Sequence, residues 1–103
     1  MFLVLWEYDV KLGCEEVFES VYGPDGDWAQ FFRRDAAYQR TLLLCDSFRG
    51  HTYLTCDFWE TREAYKTFRL TNSDAYRALD KRCAELTLAE RKIGAFERLG
   101  DST

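Results

Sequence analysis

The residue of this sequence with the clearest chemical potential is Asp57, a carboxylate within a run of mostly apolar and aromatic residues. A buried carboxyl group has a raised pKa and accepts a proton readily, which is what a general base requires. The alternative is a cross-strand ion pair with Arg40 or with Lys92, because such pairs are common in sheets. The sequence alone favours the ion pair, and both interpretations stay open at this point.

Six other residues are candidates for binding a ligand: Trp6, Tyr8, Tyr22, Trp28, Arg69 and Asn72. Trp6 and Tyr8 share one face of the first predicted strand, and polar tips on a buried face are typical of a pocket. Tyr22 and Trp28 flank a Gly-Pro-Asp-Gly turn that we expect at a cavity entrance. Arg69 and Asn72 lie at a predicted helix break, from which they would reach the same entrance.

The sequence does not predict a metal site. Its four cysteines, at positions 14, 45, 56 and 83, form no Cys-x-x-Cys pair, and His51 is the only histidine. This spacing does not match a zinc site. Each cysteine lies in an apolar pattern, so we expect four buried free thiols and no disulfide.

Length and composition indicate one domain, residues 1–103, with an unusual number of rings. Aromatic residues make up 17% of the chain, more than a small core needs, so some should line a cavity or an interface. The net charge is −4 and basic residues are interspersed with acidic ones, which argues against nucleic-acid binding. No apolar run is long enough to span a membrane or resemble a signal peptide, so we expect a cytoplasmic protein.

Hydrophobic periodicity predicts a strand and a broken helix in the first third of the chain. Residues 2–11 alternate with a period of two and predict a strand buried along its even-numbered face. Helical spacing follows over residues 14–34, interrupted by a turn at residues 22–27. Asp27 is predicted to cap the second helical piece.

The remaining residues predict a hairpin, a second broken helix and a last strand. Strands are expected at residues 40–47 and 51–60, joined by a short Gly-containing link. Thr61 is predicted to cap a helix that restarts at residues 71–74. Thr87 and Glu90 have the spacing of a capping box for one short turn, and residues 91–99 predict the final strand.

The order strand, helix, strand, strand, helix, strand predicts an α+β fold of the ferredoxin-like split β-α-β kind. Right-handed crossovers place strands one and three in the centre of a four-stranded antiparallel sheet with helices on one face. The other face would be apolar, because Leu3 and Leu5 lie on one side of strand one and strand three has rings or aliphatics on both sides. We therefore expect a homodimer that covers this face.

The sequence resembles the antibiotic-biosynthesis-monooxygenase-like domains of the dimeric α+β barrels over nearly its whole length. The resemblance rests on residues 22–28, Tyr-Gly-Pro-Asp-Gly-Asp-Trp, on residues 38–44, Tyr-Gln-Arg-Thr-Leu-Leu-Leu, and on residues 53–60, Tyr-Leu-Thr-Cys-Asp-Phe-Trp-Glu. The junction at residues 59–65, Trp-Glu-Thr-Arg-Glu-Ala-Tyr, is the most specific stretch.

The resemblance implies roles for three residues. In cofactor-free members, an Asn on strand three, a Trp four residues later and a Tyr six beyond that surround a polycyclic phenol or quinol. Trp59 and Tyr65 match by spacing, and Thr55 stands at the Asn position with one hydroxyl as its hydrogen-bonding group. The implied catalytic residues are therefore Thr55, Trp59 and Tyr65.

The family also contains haem-degrading enzymes, whose axial His lies on the second helix. Asp80 stands in that stretch, so we expect neither haem nor another cofactor. Three functions remain open: a cofactor-independent monooxygenase of aromatic polyketide-like or quinol substrates, a non-catalytic module that binds a small aromatic ligand, and a dimerisation domain filled by its own rings.

Overall fold

The computed structural model describes residues 1–100 and has the predicted order of elements. The strands are β1 (Phe2–Val10), β2 (Tyr38–Cys45), β3 (Thr52–Trp59) and β4 (Thr87–Glu97). The helices are α1 (Glu15–Tyr22), α2 (Asp27–Phe32), α3 (Arg62–Thr71) and α4 (Ser73–Cys83), and a 3-10 turn (Ala84–Leu86) precedes β4. The four strands form an antiparallel sheet in the order β2-β3-β1-β4, which confirms the α+β ferredoxin-like prediction.

Both helical crossovers are broken, as predicted, but their caps differ from expectation. Thr61 caps α3 by accepting a hydrogen bond from the backbone N–H of Ala64 at 3.1 Å. Asp27 does not cap α2, since it is already the first helical residue and Gly26 occupies the cap position without a side chain.

The bounds of two strands were predicted wrongly. β2 starts and ends two residues earlier than expected, because Tyr38 already pairs with Trp59. β4 starts at Thr87, so the capping box of Thr87 and Glu90 does not form. Pairing with β1 makes these residues extended.

The helices cover one face of the sheet, and the buried side chains form one cluster there. The face includes the even-numbered residues of β1 and the odd-numbered residues of β3, because side chains alternate along a strand. Trp59 is fully buried, with ring centroids of Phe32, Tyr65 and Phe68 5.5, 5.4 and 5.2 Å away. Ring-on-ring packing of this kind dominates the core.

The opposite face of the sheet has no helix over it and is largely apolar. The pairing register assigns to it a patch that we call the open face: Leu3, Leu5, Leu42, Leu44, Leu54, Cys56, Phe58 and Phe96. Leu42, Leu44 and Phe96 are 37%, 50% and 49% exposed. The patch is continuous across four strands, which is unusual for a surface in contact with water.

The cysteines do not all follow the prediction. All four are free thiols, and Cys56 and Cys83 are buried, but Cys14 is half-buried and Cys45 is exposed. Cys45 is the last residue of β2, a strand at the edge of the sheet with a neighbour on one side only.

No helix within residues 1–100 is long and apolar enough to cross a membrane.

Candidate functional site

A pocket lies between the sheet and the helices. Six aromatic rings line it: Trp6, Tyr8, Tyr22, Trp28, Phe32 and Tyr76. Five polar side chains complete the lining: Thr41, Thr55, Asp57, Asp80 and Glu90. All four strands and the helices α1, α2 and α4 contribute to it, so the whole fold is needed to build the pocket.

The cavity inside this pocket is small, with a volume of about 30 Å³. Sites that hold a drug-sized ligand measure about 300–1,000 Å³, whereas one water occupies about 30 Å³ in the liquid. The rings themselves take up most of the space. Trp28 lies edge-on to Tyr76 at 5.0 Å between centroids, and Tyr8 lies 4.9 Å from Tyr22. As it stands, the cavity has room for a head group and not for a polycyclic ring.

Asp57 is the buried charge-bearing group of the pocket. Its residue is 9% exposed, and burial raises the pKa of its carboxyl group to about 6 although a hydrogen bond from Thr41 opposes the shift. A carboxyl group with this pKa is ionised near neutrality but accepts a proton easily, which is the property that a general base needs.

The predicted ion pair of Asp57 with Arg40 or Lys92 does not form. Within residues 1–100 no basic side chain pairs with Asp57, whose partner is a hydroxyl group. Arg40 faces the other side of the sheet, where its guanidinium group lies 4.3 Å from the Phe58 ring centroid. The pairing register explains this, because Thr41 and not Arg40 lies opposite Asp57.

A short chain of hydroxyl groups holds Asp57 in place. Thr41 Oγ1 donates to Asp57 Oδ1 at 2.6 Å, and Tyr38 Oη lies 2.6 Å from Thr41 Oγ1. Because the Thr41 hydrogen is used toward Asp57, Tyr38 is the donor in the second bond. Asp57 Oδ2 accepts no hydrogen bond from any residue in 1–100, and Asp57 lines the pocket.

Tyr8 provides a hydroxyl donor in the same pocket. Thr55 Oγ1 donates to Tyr8 Oη in a long bond of 3.4 Å. Burial raises the pKa of Tyr8 well above its usual value, so this hydroxyl keeps its proton. Its hydrogen can therefore be donated to an oxygen atom of a bound ligand.

Two carboxylates line the pocket on the side of α4 and β4. Asp80 comes from α4, and Glu90 lies opposite Tyr8 in the β1–β4 ladder. Burial, and then the nearby charge of Asp80, raise the pKa of Glu90. The two acids are thus close enough to repel each other, which is the sign of a site short of positive charge.

The predicted catalytic residues Trp59 and Tyr65 lie in a neighbouring cluster and do not line the cavity. Tyr65 packs against Trp59 and Phe2, with ring centroids 5.4 and 5.5 Å apart, and its hydroxyl accepts a hydrogen bond from Arg69 at 2.9 Å. Trp59 Nε1 is buried without a hydrogen-bond partner in residues 1–100. Their catalytic roles stay a prediction.

The two other predicted binding residues, Arg69 and Asn72, do not line the cavity. The Arg69 guanidinium group lies 3.7 Å from the ring centroid of Tyr76, which does line it. Asn72 Nδ2 donates to the backbone carbonyl of Phe68 at 3.1 Å, at the junction of α3 and α4.

Six of the ten predicted site residues therefore meet in the pocket: Trp6, Tyr8, Tyr22, Trp28, Thr55 and Asp57. Sequence reasoning did not assign Phe32, Thr41, Tyr76, Asp80 and Glu90 to this site. Tyr76 and Asp80 are one turn apart on α4, a signal that was present in the sequence. Glu90 was missed because it was interpreted as part of a capping box.

Within residues 1–100, no three His, Cys, Asp or Glu side chains are grouped closely enough to hold a metal ion.

Solved structures match this fold along nearly its whole length. SnoaB, a cofactor-independent oxygenase from Streptomyces nogalater, is similar with a TM-score of 0.76 and 19% identity over 97% of this chain and 94% of that chain. A Deinococcus radiodurans protein assigned to the antibiotic biosynthesis monooxygenases has a TM-score of 0.78 and 12% identity over 100% and 97%. A Bordetella bronchiseptica protein of the same assignment has a TM-score of 0.71 and 18% identity over 95% and 96%.

No family model matches the sequence, and no curated protein matches it by sequence. The class that fold and pocket define is a ferredoxin-like α+β domain with a ring-lined site between helices and sheet. More particularly, the chain has the fold of the antibiotic biosynthesis monooxygenase structures, which confirms the resemblance inferred from the sequence. At 12–19% identity the likeness establishes the fold, and function needs its own argument.

Proposed function

We propose that the chain is a cofactor-independent monooxygenase of an electron-rich aromatic substrate, of the phenol, quinol or aromatic polyketide kind. The observation that carries this proposal is Asp57, a nearly buried carboxylate with one free oxygen in a pocket lined by six rings. The fold shared with a cofactor-independent oxygenase supports it.

The proposed reaction begins with removal of a proton from the substrate by Asp57. The resulting anion passes electrons to O2, and a carbon–oxygen bond forms to give a peroxide. The peroxide then loses water and leaves a carbonyl group, so that CH2 and O2 become C=O and H2O without an external reductant. Tyr8 would donate a hydrogen bond to the substrate oxygen, and Trp6 and Trp28 would hold the ring in a site from which water is excluded.

The three residues assigned by family resemblance have a supporting place in this proposal. Thr55 acts through its bond to Tyr8. Trp59 and Tyr65 lie behind the pocket wall and would orient Phe32, whose ring touches both Trp59 and Trp28, at 5.5 and 5.7 Å between centroids. On this basis, we expect changes at Trp59 or Tyr65 to weaken turnover less than a change at Asp57.

A second function is a non-catalytic module that binds a small molecule or only dimerises. The volume of about 30 Å³ favours it, because a polycyclic substrate enters only if rings at the entrance turn away. The two functions differ in one result. A binding module holds its ligand without consuming oxygen.

We also propose that the chain works as a homodimer joined through the open face, with that apolar patch as the supporting observation. The cytoplasmic location stays a prediction.

Oxygen consumption with a panel of hydroquinones and anthrones tests the proposed activity. We expect Asp57→Asn to lower kcat by about 100-fold or more, because general-base catalysis contributes about 10²–10⁴-fold. The matched control is Asp74→Asn, the same change at an exposed site on α4, which should leave turnover unchanged. Trp59→Phe and Tyr65→Phe should give intermediate rates.

The pH profile provides a second readout of the same experiment. With the Asp57 pKa at about 6, the rate should rise from pH 5 to pH 7 as the base ionises. Full activity of Asp57→Asn would contradict the assignment of the base. Ligand binding without turnover of any substrate would favour the non-catalytic binding module over the enzyme.

A further inference from the structure

The charges that line the pocket are all of one sign. Asp57, Asp80 and Glu90 contribute three carboxyl groups, and no Lys or Arg in residues 1–100 lines the cavity. Two basic side chains near it are Lys92, opposite Trp6 on β4, and Arg69, whose guanidinium group lies 3.7 Å from the Tyr76 ring centroid. Neither is part of the lining.

The negative charge of the pocket lining opposes the proposed reaction. Proton removal by Asp57 leaves a negative charge on the substrate, beside Asp80 and Glu90. Like charges that line one small pocket destabilise one another. An enzyme that makes an anion normally supplies a positive or hydrogen-bonding group for it. The chain supplies the Tyr8 hydroxyl, but no cation within residues 1–100 lines the cavity. A positive charge on the substrate would supply what the cavity lining lacks.

The aromatic rings of the pocket are suited to binding a positively charged group on the substrate. Trp6, Trp28 and Tyr76 present aromatic rings to the cavity, and the electron-rich face of such rings attracts ammonium groups. Tyr76 shows this property already, because the Arg69 guanidinium group lies over its ring at 3.7 Å from the centroid. Rings together with carboxylates form the usual cage for an organic cation.

Two polar groups indicate where the rest of a ligand would bind. Asp57 Oδ2 accepts no hydrogen bond from residues 1–100, and Asp57 lines the pocket. Trp28 Nε1 is buried and makes no well-formed hydrogen bond within residues 1–100, with the Tyr22 hydroxyl and the Cys83 thiol beside it. A ligand with a hydrogen to give to Asp57 Oδ2 and an oxygen to accept from Trp28 Nε1 would satisfy both groups.

A metal ion is a poorer occupant than an organic cation. Within the part of the chain that the structure describes, no three potential ligands converge closely enough to coordinate one. The cavity of about 30 Å³ matches an ammonium head group, with the remainder of the molecule at the entrance.

We propose that the ligand of this pocket is an arylalkylamine in its protonated form, whose ammonium group binds between the carboxylates of Asp80 and Glu90 and the rings of Trp6 and Tyr76. The inference rests on the proposed function in that it takes the pocket to be the substrate site. The ammonium group then offsets the negative charge that proton removal by Asp57 creates.

Three probes of nearly equal shape and different charge test this inference: benzylammonium, benzyl alcohol and benzoate. Binding is measured by calorimetry at pH 7.5, and the Trp28 indole N–H resonance, assigned with Trp28→Phe, reports whether the probe reaches the pocket. We expect benzylammonium to bind at least about tenfold more tightly than benzyl alcohol, and benzoate to bind most weakly.

Variants that remove negative charge from the pocket show which residues cause the preference for benzylammonium. Asp80→Asn combined with Glu90→Gln should weaken benzylammonium about tenfold and leave benzyl alcohol within about twofold. Asp74→Asn, an exposed acid on the same helix as Asp80, should change neither affinity and controls for the net charge of −4.

The inference is overturned if benzyl alcohol or benzoate binds as tightly as benzylammonium, if no probe binds, or if the double variant keeps the preference. Failure of the oxygenase proposal would give a different experimental result from failure of the cation site. A protein that selects benzylammonium through Asp80 and Glu90 but consumes no oxygen would keep the cation site and lose the reaction.

Discussion

At the scale of the residue, Asp57 combines a function with a cost in stability. A carboxylate that is nine-tenths buried and held by one hydroxyl donor is poorly solvated, which is why its pKa rises to about 6. The pKa of an unfolded Asp is about 3.9. The folded state therefore binds the proton more tightly than the unfolded state, and ionisation of Asp57 opposes folding.

Asp57→Asn should stabilise the protein at neutral pH. The wild type loses stability as pH rises from about 4 to about 6, where the unfolded state has released the proton and the folded state still binds it. Asn has the same shape, still accepts from Thr41 and does not ionise. We expect near-equal stability at pH 4 and a gain of about 1–3 kcal/mol at pH 7.5.

Urea denaturation at pH 4, 5, 6 and 7.5 measures this difference, with Asp74→Asn as the control that should show no such pH dependence. A variant less stable than wild type at pH 7.5 would show that the Asp57 carboxylate is satisfied in the fold and not poised as a base.

At the scale of the element, the break between α1 and α2 positions two rings of the pocket. Tyr22 ends α1 and Trp28 lies in the first turn of α2, and their ring centroids lie 6.2 Å apart. The chain turns so tightly that a Cβ atom on Gly26 would lie 2.3 Å from the Val21 carbonyl oxygen and 2.4 Å from that of Ser20. Both obstacles are backbone atoms, which cannot swing aside as a side chain would.

Gly26→Ala should therefore destabilise the fold by about 1–3 kcal/mol, the usual cost of overpacking, and shift Trp28. Gly50→Ala is the matched control. A Cβ atom added at Gly50 would have no atom within 4 Å, and we expect a change of less than about 0.5 kcal/mol. Thermal unfolding measures both variants, and indole fluorescence reports the shift of Trp28. Equal stability of the two variants would show that the α1–α2 turn relaxes freely.

At the scale of the whole molecule, the two faces of the sheet have different tasks. The helix-covered face builds the core and the pocket, and the open face presents Leu42, Leu44 and Phe96 to solvent. A continuous apolar patch on a sheet is stabilised when a second copy covers it, and twofold symmetry makes that contact self-complementary.

Leu44→Lys should disrupt the proposed dimer, because it places two charges at a self-complementary apolar contact. Leu70→Lys makes the same change at a 78% exposed site on α3, on the helical side, and should leave the mass unchanged. Light scattering after gel filtration measures both masses. A wild-type protein that elutes as a monomer would remove the dimer from the proposal.

The periodicity of the sequence was enough to predict the order of elements and the faces of the strands. A period of two placed Trp6 and Tyr8 on one face of β1, and the turn signals around Gly26 predicted the broken helix. These are local properties, since each depends only on neighbours within a few residues.

Tertiary structure alone decided which remote side chains complete the site. The register between β2 and β3 placed Thr41 opposite Asp57, and a slip of one residue would have brought Arg40 there. A register shift near Ile93 turns Glu90 toward the helices, on the same face as Tyr8. Strand register and helix docking depend on pairing between distant segments, which local periodicity does not encode, so the acidic side of the pocket emerged only from the folded chain.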